Sequence, residues 1–216
     1  MLFAPAPLAA LLRACALVTL AAAAGGVLAN EPTASTPAAA ASAGGIEVEG
    51  FRFDAAAQVA GQNLVLNGAG LSSILSAKST AVAFYLPAKQ TTMEAALAVK
   101  GPKRIQYFMV RDVSARDLSN ALLDRIRQNN SSEEFTANIV QTSQLGAVFG
   151  TRKELRKSDM VTIDWMPATQ TTEFRLNGER VGELIKGESF YQMMMKVWIG
   201  PRVRASTRNA LLGQPG

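Results

Sequence analysis

From residue 45 onward the chain changes its hydrophobic period several times, and each change predicts an element. GIEVEGFRF (45–53) alternates apolar and polar residues, the period of a half-buried strand, and Gly50 marks a bulge or turn within it. NLVLNG (63–68) predicts a short second strand ending in a tight turn at Gly68-Ala69-Gly70. TAVAFYL (80–86) is almost wholly apolar and suits a strand covered on both faces, stopped by Pro87. TTMEAALAV (91–99) carries Met93, Ala96 and Leu97 at helical spacing and ends at Gly101-Pro102. KRIQYFMVRDV (103–113) predicts a further strand.

The middle of the chain is helical. SARDLSNALLDRIRQNN (114–130) opens on Ser114 with Asp117 three residues on, a capping box, and carries a stripe of Leu118, Ala121, Leu122 and Ile126. SSEEFTANIVQTSQLGAVF (131–149) repeats the device with Ser131 and Glu134. Two strands follow, DMVTIDW (159–165) and the hairpin TTEFRL-NG-ERVGELI (171–185). Asn177-Gly178 there predicts a type I′ turn with Phe174 facing Val181. ESFYQMMMKVWIG (188–200) sets Phe190, Met193, Met194, Val197 and Trp198 on one helical face. Its methionines suit an adaptable pocket, but a core stripe docking on a sheet is the simpler reading. Strands paired as hairpins, with helices between, predict an α+β domain: a largely antiparallel sheet with helices packed on one face.

The amino-terminal residues stand apart. Residues 1–29 hold one positive charge, Arg13, then an acid-free apolar run from Ala14 to Ala24, and end in Val27-Leu28-Ala29. This predicts a secretory signal peptide cleaved after Ala29, too short for a comfortable span, so an uncleaved signal is the only membrane attachment foreseen. Residues 30–45, rich in Ala, Ser, Thr, Pro and Gly, read as a linker. The folded domain is expected over 46–213, in an exported protein.

Composition removes whole classes of chemistry. The 216 residues contain no histidine and one cysteine, Cys15, which leaves with the signal. Ser-His-Asp and Cys-His nucleophiles are excluded, as are zinc sites built on Cys or His. No cofactor and no metal are expected. The net charge of +5 is spread along the chain, with TRKELRK (151–157) as its densest run, and aromatics are few, so nucleic acid is not an expected partner. NGAGLSS (67–73) lacks the glycine spacing and the Lys-Ser/Thr of a phosphate-binding loop.

Several blocks together carry a resemblance. LVLNGAGL…KSTAVAFYLPA, GPKRIQYFMVRDVSARDLSNAL, KSDMVTIDWMP, FRLNGERVGELIKGESFYQMMMKVWIG and the closing LLG resemble, in order, the chalcone isomerase superfamily, in particular its exported bacterial members. The resemblance spans 46–213. It implies an open-faced β-sandwich-like α+β fold, a ligand cleft between sheet and helices, and a periplasmic location. The family's enzymes close a chalcone to a flavanone, using an arginine after the glycines, a threonine on the next strand, and a tyrosine and an asparagine near a following helix. Those positions match Ser72, Thr80, Val113 and Asn120, so the guanidinium and the phenol are missing. Loss of one such donor costs about 3 kcal/mol of transition-state stabilisation.

Some relatives grip a fatty-acid carboxylate with the same two groups. Arg104 or Arg111 is a candidate substitute, though strand alternation sets them on opposite faces. Plainer readings stand beside these. Thr80 suits a strand, Asn120 shares a solvated face with Asp117, Asp124 and Arg127, and Arg111-Asp112 reads as a structural ion pair. The expectation is a non-catalytic exported domain binding a small apolar or amphipathic ligand such as a fatty acid or similar carboxylate. The alternatives are an isomerase or intramolecular lyase on another substrate, and a structural or interaction module of the cell envelope.

Overall fold

The computed structural model describes residues 44–73 and 79–214. The expected signal peptide and nearly all of the expected linker lie outside the described residues. In chain order the elements are β1 (Ile46–Val48), β2 (Phe51–Phe53), β3 (Ala56–Val59), β4 (Gln62–Ser72), β5 (Thr80–Leu86), α1 (Met93–Ala98), β6 (Lys103–Met109), β7 (Val113–Ser114), α2 (Ala115–Asn129), α3 (Ser132–Ala137), α4 (Ile139–Ala147), β8 (Glu154–Leu155), β9 (Met160–Met166), β10 (Thr171–Leu176), β11 (Glu179–Lys186), α5 (Glu188–Ile199) and α6 (Ala205–Leu211).

Seven of the strands form one sheet in the order β11-β10-β9-β6-β5-β4-β3. Every pairing in it is antiparallel. Its hairpins obey local turn chemistry. Asn177 and Gly178 both take positive φ, 52° and 86°, as a type I′ turn requires, and Phe174 pairs with Val181 as the sequence predicts. Glu49 and Gly50 do the same between β1 and β2.

Two apolar layers sandwich the sheet. On the helical side Val82, Phe84, Ile105, Val161 and Ile163 pack against α5, whose Phe190, Met193, Met194, Val197 and Trp198 are buried. The methionines of α5 are therefore core, as the simpler reading has it. On the other side Phe53, Leu64, Leu66, Ala83 and Tyr85 form a smaller cluster, closed by Phe51 stacked on Phe108 with ring centroids 5.0 Å apart. Each large apolar side chain removed from water in these layers contributes roughly 1.5–3 kcal/mol before entropy is counted.

Four expectations are corrected. No turn falls at Gly68-Ala69-Gly70; β4 runs straight through them as an eleven-residue strand, with a bulge between Leu66 and Gly68. The strand expected over 103–113 stops at Met109, and Val113 belongs to a separate ribbon paired with Leu155. The helix expected over 131–149 breaks at Asn138 into α3 and α4. Ser131 and Glu134 form the predicted capping box, and the Asn138 side chain is held by Glu134 O and the Ser189 hydroxyl. At Ser114 the hydroxyl accepts from Asp117 N–H at 3.1 Å, which is half of the box read there. The strand β3 and the helix α6 were not expected at all.

Candidate ligand-binding site

The sequence-predicted positions divide between three places. Ser72 and Thr80 are direct cross-strand partners at one end of the β4–β5 pair. Thr80 shares parity with Val82 and Phe84, so its side chain faces the helices; the residue is fully buried, and its hydroxyl has no partner among the described residues. Val113 is buried in the helical-side core and offers no polar atom. Asn120 lies elsewhere: it is exposed in a cleft of about 260 Å³ with Arg116, Ser119, Phe149 and Arg152, between α2 and the end of α4.

Neither proposed substitute arginine reaches Thr80. Arg104 alternates to the opposite face of β6, where its Nε and Nη2 donate to the two oxygens of Asp164 at 2.7 and 2.6 Å. That bidentate pairing holds its pKa above the ordinary arginine value. Arg111 lies beyond the end of β6, exposed and unpartnered among the described residues. It makes no ion pair with Asp112, whose carboxylate instead accepts from Lys157 N–H at 2.7 Å.

A guanidinium does approach the site, from a position the sequence reading passed over. Arg125, on α2, donates from Nη2 to the Ser73 carbonyl at 2.7 Å. It is partly buried and meets no carboxylate among the described residues. Burial, and then the charge of nearby Arg204, push its pKa below the ordinary arginine value. At 100° per residue Arg125 stands about 140° around α2 from Asn120, which explains why the helix can present one to Ser73 and the other to α4. Beside Arg125 a cleft of about 250 Å³ is lined by Leu71, Ser73, Arg204, Ser206 and Thr207. The Thr207 hydroxyl donates to Leu71 O at 2.8 Å and fixes α6 against the end of β4.

The helix-facing core holds further polar atoms with no partner among the described residues. Tyr107 and Thr80 are diagonal neighbours on the helix-facing side, since Thr80 pairs with Met109. The Tyr107 hydroxyl and the Trp198 indole N–H have no partner among the described residues, and their rings lie against one another with centroids 5.8 Å apart. Burial alone drives the Tyr107 pKa far upward, so the phenol stays protonated and able to donate. A buried polar group left unsatisfied costs about 1–3 kcal/mol. Thr80, Tyr107 and Trp198 together therefore carry an unmet demand for a hydrogen-bonding partner at the same end of the sheet. A hydrophobic pattern cannot show this: Tyr107 reads as an apolar strand residue and Arg125 as a solvated helix residue. Among the described residues no three Asp, Glu, His or Cys side chains converge as a metal ion would need.

A seven-stranded antiparallel sheet with helices on one face, with Arg125 bonded at the end of β4 and hydroxyls buried without partners among the described residues, is an α+β domain of the open-faced sandwich class. The chain belongs to the chalcone isomerase-like family, whose model matches residues 45–213. No curated protein matches it. Among solved structures it is similar to a fatty-acid binding protein of Arabidopsis thaliana, at 15% identity and a TM-score of 0.59, over 76% of this chain and 92% of that one. At that identity the likeness is one of fold.

Proposed function

We propose that the domain binds a small amphipathic carboxylate, with a fatty acid as the model ligand, and does not cyclise chalcones. Arg125 carries the proposal: a partly buried guanidinium that meets no carboxylate among the described residues and is bonded to Ser73, which lines a cleft with Arg204. Two cations held together without an anion repel each other, and a ligand carboxylate between them removes that cost. The acyl chain then runs inward between sheet and helices, past Thr80 and Tyr107. The fold likeness to a protein described as fatty-acid binding supports the same reading. The family's cyclisation needs charge on a developing oxyanion, and Ser72 and Val113 supply neither the guanidinium nor the phenol at their positions.

Native mass spectrometry of freshly purified domain, with titration by lauric and palmitic acid, tests this. Bound lipid-sized mass is expected, with affinity falling about tenfold or more in Arg125→Gln. A protein that purifies empty and ignores both acids overturns it. We also propose that residues 1–29 direct export and that the domain works in a bacterial periplasm, on the charge and hydropathy of that segment. Protein recovered from the periplasm should then begin at Asn30; recovery only from the cytoplasm with the segment intact refutes this part.

A further inference from the structure

The sheet face turned away from the helices carries a polar array that the ligand cleft does not use. Tyr85, Arg104, Asp164 and Glu173 follow one another across β5, β6, β9 and β10 as direct cross-strand partners. In the next row Thr162 pairs with Arg175. Asp164 is held by Arg104, and Glu173 Oε1 lies 2.7 Å from Arg175 Nη2. Of these, Arg104, Asp164, Glu173, Thr162 and Arg175 line a cavity of about 490 Å³, together with Val59, Ala60, Met160 and Met166. That volume falls in the range of small-molecule sites, roughly 300–1,000 Å³.

Stability does not account for this arrangement. Two carboxylates directly opposite on neighbouring strands repel. Asp164 and Glu173 are moreover largely buried, at 7% and 11% side-chain exposure, so both ion pairs bear desolvation costs that apolar residues would avoid. Thr162, which lines the same cavity and is 4% exposed, has a hydroxyl with no partner among the described residues.

The unused valences define the missing partner. Each Asp164 oxygen accepts one bond from Arg104 and retains capacity for another, and Glu173 Oε2 makes no bond among the described residues. Arg104 Nη1 makes no bond among the described residues and can donate. Two cations balance two anions, so a charged ligand would unbalance the cavity. A neutral molecule with several hydroxyls would not: its O–H groups donate to the carboxylates while its oxygens accept from Arg104 and Thr162. From this geometry we infer a second binding site, on the sheet face opposite the helices, that takes a neutral polyhydroxyl ligand of saccharide type. Val59, Met160 and Met166 meet the C–H faces of the ring. The site shares no lining residue with the carboxylate cleft, and failure of either reading leaves the other standing.

Nitrogen-15 NMR titration of the domain with glucose, N-acetylglucosamine and trehalose, beside spermidine and inorganic phosphate, tests it. Saturable shifts confined to residues 58–60, 104, 160–166 and 173–178 are expected with at least one sugar, and affinity should drop about tenfold in Thr162→Val and in Glu173→Gln. Thr162→Val removes a hydroxyl that nothing among the described residues bonds, so the fold is retained and the loss is one of binding. Absence of shifts with all three sugars, shifts that persist unchanged in both variants, or a response only to spermidine or phosphate overturns the inference.

Discussion

Gly68 of β4 and the carbonyl oxygen of Ala210 in α6 are in backbone-to-backbone contact, with no room between them for a side chain. A Cβ on Gly68 would overlap Ala210 O, and one on Gly70 would meet the Ala210 methyl at 2.7 Å. The two glycines therefore form a flat track on which α6 rests. Asn67 locks the track from the side, donating to Leu211 O at 2.7 Å and to Gln90 O at 3.0 Å.

Gly68→Ala should accordingly destabilise the domain by about 2 kcal/mol or more, because a backbone carbonyl cannot move aside as a side-chain end can. Gly50→Ala is the comparison. Its φ of 79° strains any other residue, but nothing lies within 4 Å of the added methyl, so about 1 kcal/mol is expected. Urea denaturation of both variants measures the difference; equal losses would mean that α6 does not press on β4 as described.

The same glycines show how far the sequence could be read. Local rules worked where a few neighbouring residues decide the outcome. Asn177-Gly178 set its own turn, Ser131 and Glu134 their own cap, and the α5 stripe its own buried face. They failed where the cause lies far along the chain. Gly68 and Gly70 look like a turn because the partner that requires them, Ala210, is some 140 residues away and sits in a helix whose pattern is weak. The site fared the same way. Ser72 and Thr80 came together because a hairpin joins them, whereas Arg125 reaches Ser73 only through the packing of α2, and Asn120 points to α4 once the helix is rolled into place.

Lys103 gives a prediction with a definite sign in pH. It is 1% exposed, its ammonium has no hydrogen-bond partner among the described residues, and the Glu188 carboxylate stands 3.8 Å away. Burial disfavours the charged form and lowers its pKa, which Glu188 only partly opposes. The unfolded chain thus holds this proton more firmly than the folded one, and stability should rise as pH climbs from the lowered value toward the ordinary lysine value. Lys103→Met should be more stable than wild type at neutral pH by about 1 kcal/mol or more, and the gap should narrow as the solution becomes alkaline. Thermal melts across neutral and alkaline pH decide it, and a less stable methionine variant would show that the Glu188 pair outweighs the burial cost.

Glu134 acts in the opposite pH range. Lys196 Nζ reaches its Oε1 at 2.6 Å, and Ser131 N–H donates to Oε2 at 2.9 Å. The lysine bond first, and the backbone bond second, hold its carboxyl below the ordinary glutamate value. A depressed carboxylate stabilises the fold above the unfolded-state pKa and loses that contribution as pH falls through the folded-state value. The side chain is partly exposed, so the effect is modest. Glu134→Gln should melt below wild type at neutral pH, with the two converging in acid; parallel pH profiles would show that Glu134 does not contribute to acid lability.

Thr80 and Tyr107 separate stability from binding most clearly. Their hydroxyls are buried without partners among the described residues, a cost that an occupying ligand would remove. Thr80→Val keeps the shape of the side chain and deletes the unpaired group. It should leave the empty domain as stable as wild type or about 1 kcal/mol more so. Tyr107→Phe should behave alike, since the ring keeps its contact with Trp198. If these atoms serve the ligand, both variants should bind fatty acid more weakly, and a ligand should raise their melting temperature less than it raises that of wild type, because only the wild type has a debt of unmade bonds for the ligand to settle. Calorimetric melts with and without lauric acid read both quantities at once. Equal ligand-induced shifts in wild type and both variants would show that the acyl chain does not pass these residues, and would confine the site to the mouth formed by Arg125 and Arg204.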